Sequence, residues 1–288
     1  MTGLTPYRFP GRTAVLTGAA SGIGEQLAHG LAARGSDLVL VDRDALRLDA
    51  VAEQIRATHP ERAVEALVAD LGDREAVLST AAGIRERHPA IGLLVNNAGM
   101  ALGGRFDQLG VAQFEQVMAV NFTAPMLLIH HLLPALTAAP GSHLVNVSSL
   151  YGLLAPPGQS AYSASKFALR GLSEVLRGEL LESGVGVTTV HPGGIRTRIA
   201  ETALIGAGVP AADVEPQQRV FAALLTYPPD KAAREILDAV ERRRARLLIA
   251  ASAKIPDLLA RLMPVGHMRL IGRLTAAAGR RARTAVHR

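Results

Sequence analysis

The sequence predicts an α/β protein: a doubly wound parallel sheet of about seven strands with helices on both faces, followed by a C-terminal helical extension. Three observations carry this. Apolar runs with few charges alternate with helical stretches of 12 or more residues along the chain, the pattern of strands buried on both faces. A glycine-rich turn, "TGAASGIG", follows the first run directly and opens the first helix. About half of the residues are hydrophobic (49%) and 28 are glycine, a composition for a compact core rather than a disordered chain.

Taken in order, "TAVLTG" is a buried strand and Gly22 to Arg34 a helix. "DLVLVD", a helix from Ala45 to about Thr58, and "VEALVAD" follow. After a helix from about Asp73 to Arg87 comes "IGLLVNNAG", the fourth strand. A long helical stretch from about Val111 to Leu136 leads to "SHLVNVSS", and one from about Ser160 to Glu182 leads to "VGVTTVHPGG". "ARLLIA" is the seventh strand, after a helix from about Pro229 to Arg243. No Ser- or Gly-rich linker divides residues 1–251, which read as one domain; 252–288 read as a basic amphipathic extension.

With 288 residues the chain is long enough for a full core, and it has no cysteine, which removes disulfides and thiolate metal sites and is compatible with a cytoplasmic location. "MTGLTPYRFPGR" lacks the apolar run of a signal peptide, and no stretch offers about 20 apolar residues free of charge, so no membrane span is expected. The net charge of +6 is uneven: from Glu241 to Arg288 there are twelve Lys/Arg against two acidic residues, so the preceding 240 residues carry a balance of −4. A nucleic-acid groove in the body is therefore not expected.

A sheet covered on both faces binds its ligand at the carboxyl ends of the strands, where strand order reverses. There Gly18, Gly22 and Gly24 let the backbone turn tightly, so that helix-start amides face a pyrophosphate. The spacing is GxxxGxG, without the Lys-Ser/Thr of a nucleoside-triphosphate loop. Asp42 ends the second strand, eighteen residues after Gly24. A carboxylate there bonds a ribose 2′-hydroxyl and favours NAD; the neighbouring Arg43 leaves NADP open, and Asp42 has a second reading as a helix N-cap.

"YSASK" places Tyr162 four residues before Lys166 on a helix. Residues so spaced share a face, so the ammonium can approach the phenol oxygen and favour its ionised form. Bringing a tyrosine from about 10 to about 7 takes roughly 4 kcal/mol, and the reward is a general acid/base for alcohol–carbonyl interconversion. Ser149, at the end of the fifth strand, points into the same crevice as a hydrogen-bond donor to the substrate oxygen, whereas Ser148 faces the other way.

The ordered set "TGAASGIG", Ala69–Asp70, "NNAG" at Asn96 to Gly99, Asn121, Ser149 thirteen residues before Tyr162, "YSASK" and "HPGGIRT" resembles the short-chain dehydrogenase/reductase family over roughly Gly11 to Ala200. The resemblance implies a Rossmann-type fold and NAD(P)-dependent oxidoreduction. It also implies that Lys166 holds the nicotinamide ribose and that Asn121 seats a water in a proton relay. Ser21 and Ile23 would lie in the phosphate turn, and Asp70 and Leu71 along the adenine. Asn97, Ala98 and Gly99 would pass beside the cofactor, with Pro192, Gly193, Ile195 and Thr197 closing over its nicotinamide end. Homodimers or homotetramers are the family's habit.

No metal site is expected: ligand spacings such as HExxH are absent, and the adjacent His130 and His131 on a helix should diverge. His191 reads as packed. No GxSxG turn surrounds Ser149 or Ser160, which excludes a serine hydrolase. The segment 199–227, where the family places its substrate cover, and "LYGLLAPPG" are apolar, pointing to an apolar alcohol, ketone or aldehyde of steroid-like, terpenoid or fatty character. In the tail Ile255, Leu258, Leu259 and Leu262 recur at helical spacing before a break at Pro264–Gly266. That pattern suits a cationic interfacial helix touching a membrane, or a helix docked on the body or a second subunit. The rival function is an idle dinucleotide-binding sensor or scaffold acting through the tail.

Overall fold

The computed structural model of the chain describes residues 4–269. Strands β1 (Thr13–Thr17), β2 (Asp37–Asp42), β3 (Val64–Val68) and β4 (Leu93–Asn96) are separated by helices α1 (Gly22–Ala33), α2 (Ala45–Thr58) and α3 (Arg74–Arg87). A two-residue strand β5 (Leu102–Gly103) precedes α4 (Val111–Met118) and α5 (Ala124–Thr137), which are joined by a π-helical turn over Ala119–Thr123. Then come β6 (His143–Val147), α6 (Ser160–Glu179), β7 (Gly186–Pro192), the single turn α7 (Ile199–Thr202), and β8 (Leu204–Ile205). Helices α8 (Ala211–Leu224) and α9 (Pro229–Glu241), strand β9 (Arg246–Ile249) and helix α10 (Ala251–Leu262) complete the described chain.

Seven strands pair in parallel in the order β3-β2-β1-β4-β6-β7-β9. The order reverses between β1 and β4, so the turns leaving these two strands diverge and open the crevice that holds the site. Both faces are buried. Leu27, Leu31, Ile236 and Val240 of α1 and α9 cover one, and Ile84, Leu128, Leu132 and Leu136 of α3 and α5 the other. The first strands are wholly buried at Val15, Leu16, Val39 and Leu40, which explains their unbroken apolar runs.

Two features depart from expectation. β5 and β8 form a separate two-stranded parallel sheet, Leu102 opposite Leu204. It ties the loop after β4 to the segment after β7, and two residues are too few to leave a pattern. The helix Val111–Thr137, 27 residues long, is long and apolar enough to cross a bilayer, against the expectation that no stretch is. Its apolar residues are used in the core instead, with Leu128, Leu132 and Leu136 fully buried.

The extension is not separate from the body where it is described. Helix α10 turns Ala253 and Asp257 inward, and Asp257 pairs with Arg246 of β9 at 2.5 Å and with Arg261 at 3.2 Å.

Candidate active site

At the carboxyl ends of β1, β4, β6 and β7 lies a cavity of about 790 Å³. One half of it starts at the glycine turn. Gly18 has φ 68°, and a Cβ there would come within 2.8 Å of the Ala98 backbone. Gly22 has φ 60°, and its missing Cβ would meet Thr197 at 2.8 Å. A Cβ on Gly24 would stand 1.8 Å from the Gly18 carbonyl oxygen, so this glycine serves the close packing of helix on turn. Ser21 is the N-cap of α1, but its side chain makes no cap hydrogen bond. The helix-start amides are thus open toward the cavity, the arrangement that receives phosphate oxygens.

Of the residues singled out in the sequence, Gly18, Ser21, Gly22 and Ile23 line the cavity at the turn. Asp42, Arg43, Asp70 and Leu71 line its far end. Asn97, Ala98 and Gly99 form one side, and Pro192, Gly193, Ile195 and Thr197 the roof. Gly24 and Asn121 are not in the wall; both sit directly behind it. These surroundings fit a dinucleotide: open amides where phosphates would lie, close backbone approach at glycines, and a carboxylate at the ribose end.

Asp42 is not an N-cap. Its carboxylate accepts from Ala20 N at 3.0 Å and from Asp44 N at 3.1 Å, while Asp44 caps α2 by accepting from Arg47 N. Asp42 is thereby tied to the glycine turn, and Asp44 pairs with Arg47 at 3.2 Å and Arg198 at 4.0 Å. Arg43 is exposed beside them.

The catalytic half is built by β6 and α6. Ser149, Tyr162 and Lys166 all line the cavity. Ser149 has extended backbone, and its hydroxyl accepts from Tyr151 N at 3.1 Å. Ser148 also lines the cavity, but its hydroxyl is engaged, donating to the Lys166 carbonyl at 2.9 Å. Lys166 is buried, donates from Nζ to the Val147 carbonyl at 3.0 Å, and lies 5.8 Å from the Tyr162 ring centre.

The electrostatics of the Tyr–Lys pair add burial to the expectation drawn from spacing. Burial pushes the Tyr162 phenol above its ordinary value, opposed by a hydrogen bond with Ser149 and reinforced by Tyr151. Lys166 is itself desolvated, with its pKa pushed down to about 8, and its ammonium is engaged with Val147. Four-residue spacing sets a shared helix face, but the burial of both groups sets their protonation.

A pH dependence follows. Below about pH 8 Lys166 is protonated in the folded and unfolded chain alike; between about 8 and its ordinary 10.5 only the unfolded chain still holds the proton. Stability therefore rises with pH across that window. Measured by urea unfolding, wild type should gain on Lys166→Met by roughly 2–3 kcal/mol over this range. A constant gap would show that the lysine is not desolvated.

Asn121 is fully buried in the π-helical turn. Its amide donates to the Met100 carbonyl and to Ser165 Oγ, both at 3.0 Å, and its oxygen accepts from Met100 N at 2.9 Å. The side chain thus fixes the chain leaving "NNAG". Two further features escaped the sequence reading, and His191, read as packed, gains a partner. Tyr151 lines the cavity with its ring edge-on to Tyr162, centroids 6.1 Å apart. His191, buried and held neutral with its pKa pushed down to about 4 by burial, bonds through Nδ1 to the Ser149 carbonyl at 3.1 Å. Ser252, Pro256 and Met268 bring the C-terminal segment into the cavity wall.

His130 and His131 do not diverge: their rings meet edge to face with centroids 5.3 Å apart. Among the described residues no group of three or more potential ligands gathers to hold a metal.

A doubly wound sheet with a glycine turn at its switch point and a Ser–Tyr–Lys set across the cavity defines a nicotinamide dinucleotide-binding protein. The family model for short chain dehydrogenases matches residues 12–205, and the chain belongs to the short-chain dehydrogenase/reductase family, as an NAD(P)-dependent oxidoreductase. It is 39% identical over 271 residues to a Mycobacterium tuberculosis protein named as the oxidoreductase SadH, covering 91% of this chain and 95% of that one. Among solved structures it resembles a short-chain dehydrogenase/reductase of Burkholderia phymatum in complex with NAD. The TM-score is 0.81 at 27% identity, with 88% of this chain and 94% of that one covered. It also resembles a short-chain dehydrogenase of Sphingobium yanoikuyae in complex with NADPH, with TM-score 0.73 at 33% identity and coverage of 88% and 94%.

Proposed function

We propose that this protein interconverts an apolar alcohol with its ketone or aldehyde, using Tyr162 as the proton-transferring group and NAD as the preferred coenzyme. The observation that carries the reading is the convergence of Ser149, Tyr162 and Lys166 on one cavity whose wall beside them carries mainly apolar side chains, with Gln116, Gln159 and Thr202 among the polar ones. Leu150, Leu154 and Pro156 supply one side, and Leu204, Phe221 and Leu225 the other. Such a wall accepts alkyl or ring surface and offers the many hydroxyls of a polyol few partners.

The bound nicotinamide would supply or take up the hydride. In carbonyl reduction, Tyr162 Oη gives its proton to the oxygen as negative charge develops there, while the Ser149 hydroxyl donates a hydrogen bond to the same atom. The raised pKa of Tyr162 keeps the phenol protonated at neutral pH, ready for this direction. In alcohol oxidation Tyr162 must first lose that proton, and the ammonium of Lys166, largely retained at neutral pH, is the nearby charge that favours the phenolate. His191 acts on Ser149 only through its backbone, and so positions it.

The NAD preference rests on Asp42. Its carboxylate is held by two backbone amides where a ribose 2′-position would lie, and a 2′-phosphate placed there meets like charge. Asp42→Ser should shift the kcat/KM ratio toward NADP at least about tenfold, roughly 1.4 kcal/mol of discrimination. An unchanged ratio would transfer the choice of coenzyme to Arg43 and Arg47.

The substrate reading is tested by comparing kcat/KM for bulky cyclic or long-chain secondary alcohols with that for sugar alcohols. Preference for the apolar set by tenfold or more is expected; equal or reversed preference would refute an apolar substrate.

A further inference from the structure

The mouth of the cavity carries an apolar surface that the oxidoreductase chemistry does not use. On α10, Ile255, Leu258 and Leu262 are 61%, 57% and 72% exposed, and their spacing sets them in one stripe. The opposite side of the helix holds the buried Ala253 and Asp257. Beyond the helix, Met263 and Val265 extend the stripe at 42% and 91% exposure. Across the mouth, Val220 and Leu224 of α8 are 65% and 57% exposed. The two elements are contiguous: Gly194, packed against the Leu224 carbonyl, donates its N–H to Ser252 Oγ at 3.2 Å. Leu224, Pro256 and Met268 also line the cavity, so the apolar rim and the cavity form one surface.

On the α10 side of this rim the exposed charge is cationic, whereas α8 carries Asp213 and a Glu215 paired with Arg219. Lys254 and Arg261 flank Leu258 on the helix, and both are exposed. In the described part of the extension, Lys254, Arg261 and Arg269 stand against one carboxylate, Asp257. That carboxylate is 6% exposed and paired with Arg246 and Arg261.

We infer that this face docks on an anionic lipid surface, with the cavity mouth against the bilayer. Leucine and methionine at the centre and cations at the margin complement acyl chains and lipid phosphates in that order. A second copy of the chain fits less well, because two-fold pairing of this face would set one cationic margin against the other. The docking stands on the rim alone; the corollary that substrate enters from the lipid rests also on the apolar-substrate reading.

The test is co-sedimentation of the full chain with vesicles of phosphatidylcholine alone and of phosphatidylcholine mixed with phosphatidylglycerol. Dinucleotide binding, measured in parallel, checks the fold. Wild type should partition to the mixed vesicles and much less to the neutral ones, with binding falling as salt rises. Leu258→Asp/Leu262→Asp should weaken partition at least about tenfold with dinucleotide affinity unchanged. Should that variant lose dinucleotide binding, Val265→Asp, outside the helix, is expected to weaken partition in the same direction. Absence of wild-type partition to mixed vesicles would overturn the inference, as would partition that survives the substitutions. A dimer dispersed by the same substitutions, with no lipid binding, would overturn it in favour of a subunit interface. None of these outcomes depends on turnover, so they are separable from failure of the substrate reading.

Discussion

Tyr162→Phe is expected to lower turnover by about 10²–10⁴-fold, the range for loss of a positioned general acid/base, while dinucleotide affinity stays within a few-fold. The substitution removes one oxygen and keeps the ring, which packs edge-on against Tyr151. Cofactor contacts, carried by the glycine turn and the roof after β7, are left intact. The neighbouring hydroxyl makes the result discriminating. Tyr151 lines the same cavity, and burial raises its pKa too. If the proton came from Tyr151, the loss would follow Tyr151→Phe instead, and Tyr162→Phe would be nearly silent. Initial rates and dinucleotide titration of both variants separate the two cases.

Gly24→Ala is expected to abolish dinucleotide binding and to destabilise the fold by several kcal/mol. The added methyl would lie 1.8 Å from the Gly18 carbonyl oxygen and 2.7 Å from Asn97 Nδ2. Neither neighbour is free to yield. Gly18 is held by its N–H bond to the Val41 carbonyl at 2.8 Å, and Asn97 donates to the Thr17 and Gly18 carbonyls at 3.1 Å each. Relief therefore requires α1 to move off the turn, which takes the helix-start amides away from the phosphates. Overpacking of a well-packed core by added methylenes costs about 1–3 kcal/mol; a backbone clash within a hydrogen-bonded turn should exceed that. Urea unfolding and dinucleotide titration give both quantities, and near-wild-type values would remove the close-packing role assigned to this glycine.

Much of this was legible in the sequence because it is local. The seven main-sheet strands follow from unbroken apolar runs set between helical stretches, and the site residues lie at strand ends where the switch-point rule places them. What was not legible depends on tertiary neighbours. Asp42 and Asp44 are two residues apart at one strand end, and only the approach of Ala20 decides which of them caps the helix and which braces the turn. Spacing alone could not reveal that Lys166 Nζ turns to the Val147 carbonyl, because that carbonyl is nineteen residues away on β6. His191 showed only as a histidine before a turn; its bond to Ser149 crosses 42 residues. Asp257 carries no signal in the sequence, yet its partner on β9 draws the extension onto the body and into the cavity wall.

The central claim is hydride transfer between a nicotinamide and an apolar carbinol carbon, with Tyr162 moving the proton. It is tested most directly with an apolar secondary alcohol deuterated at the carbinol carbon, incubated with NAD and either wild type or Tyr162→Phe. Mass analysis of the recovered dinucleotide reads the outcome. The account predicts reduced dinucleotide carrying one deuterium in the wild-type reaction and almost none formed by the variant. Reduced dinucleotide without deuterium, or equal labelling by wild type and Tyr162→Phe, would contradict it.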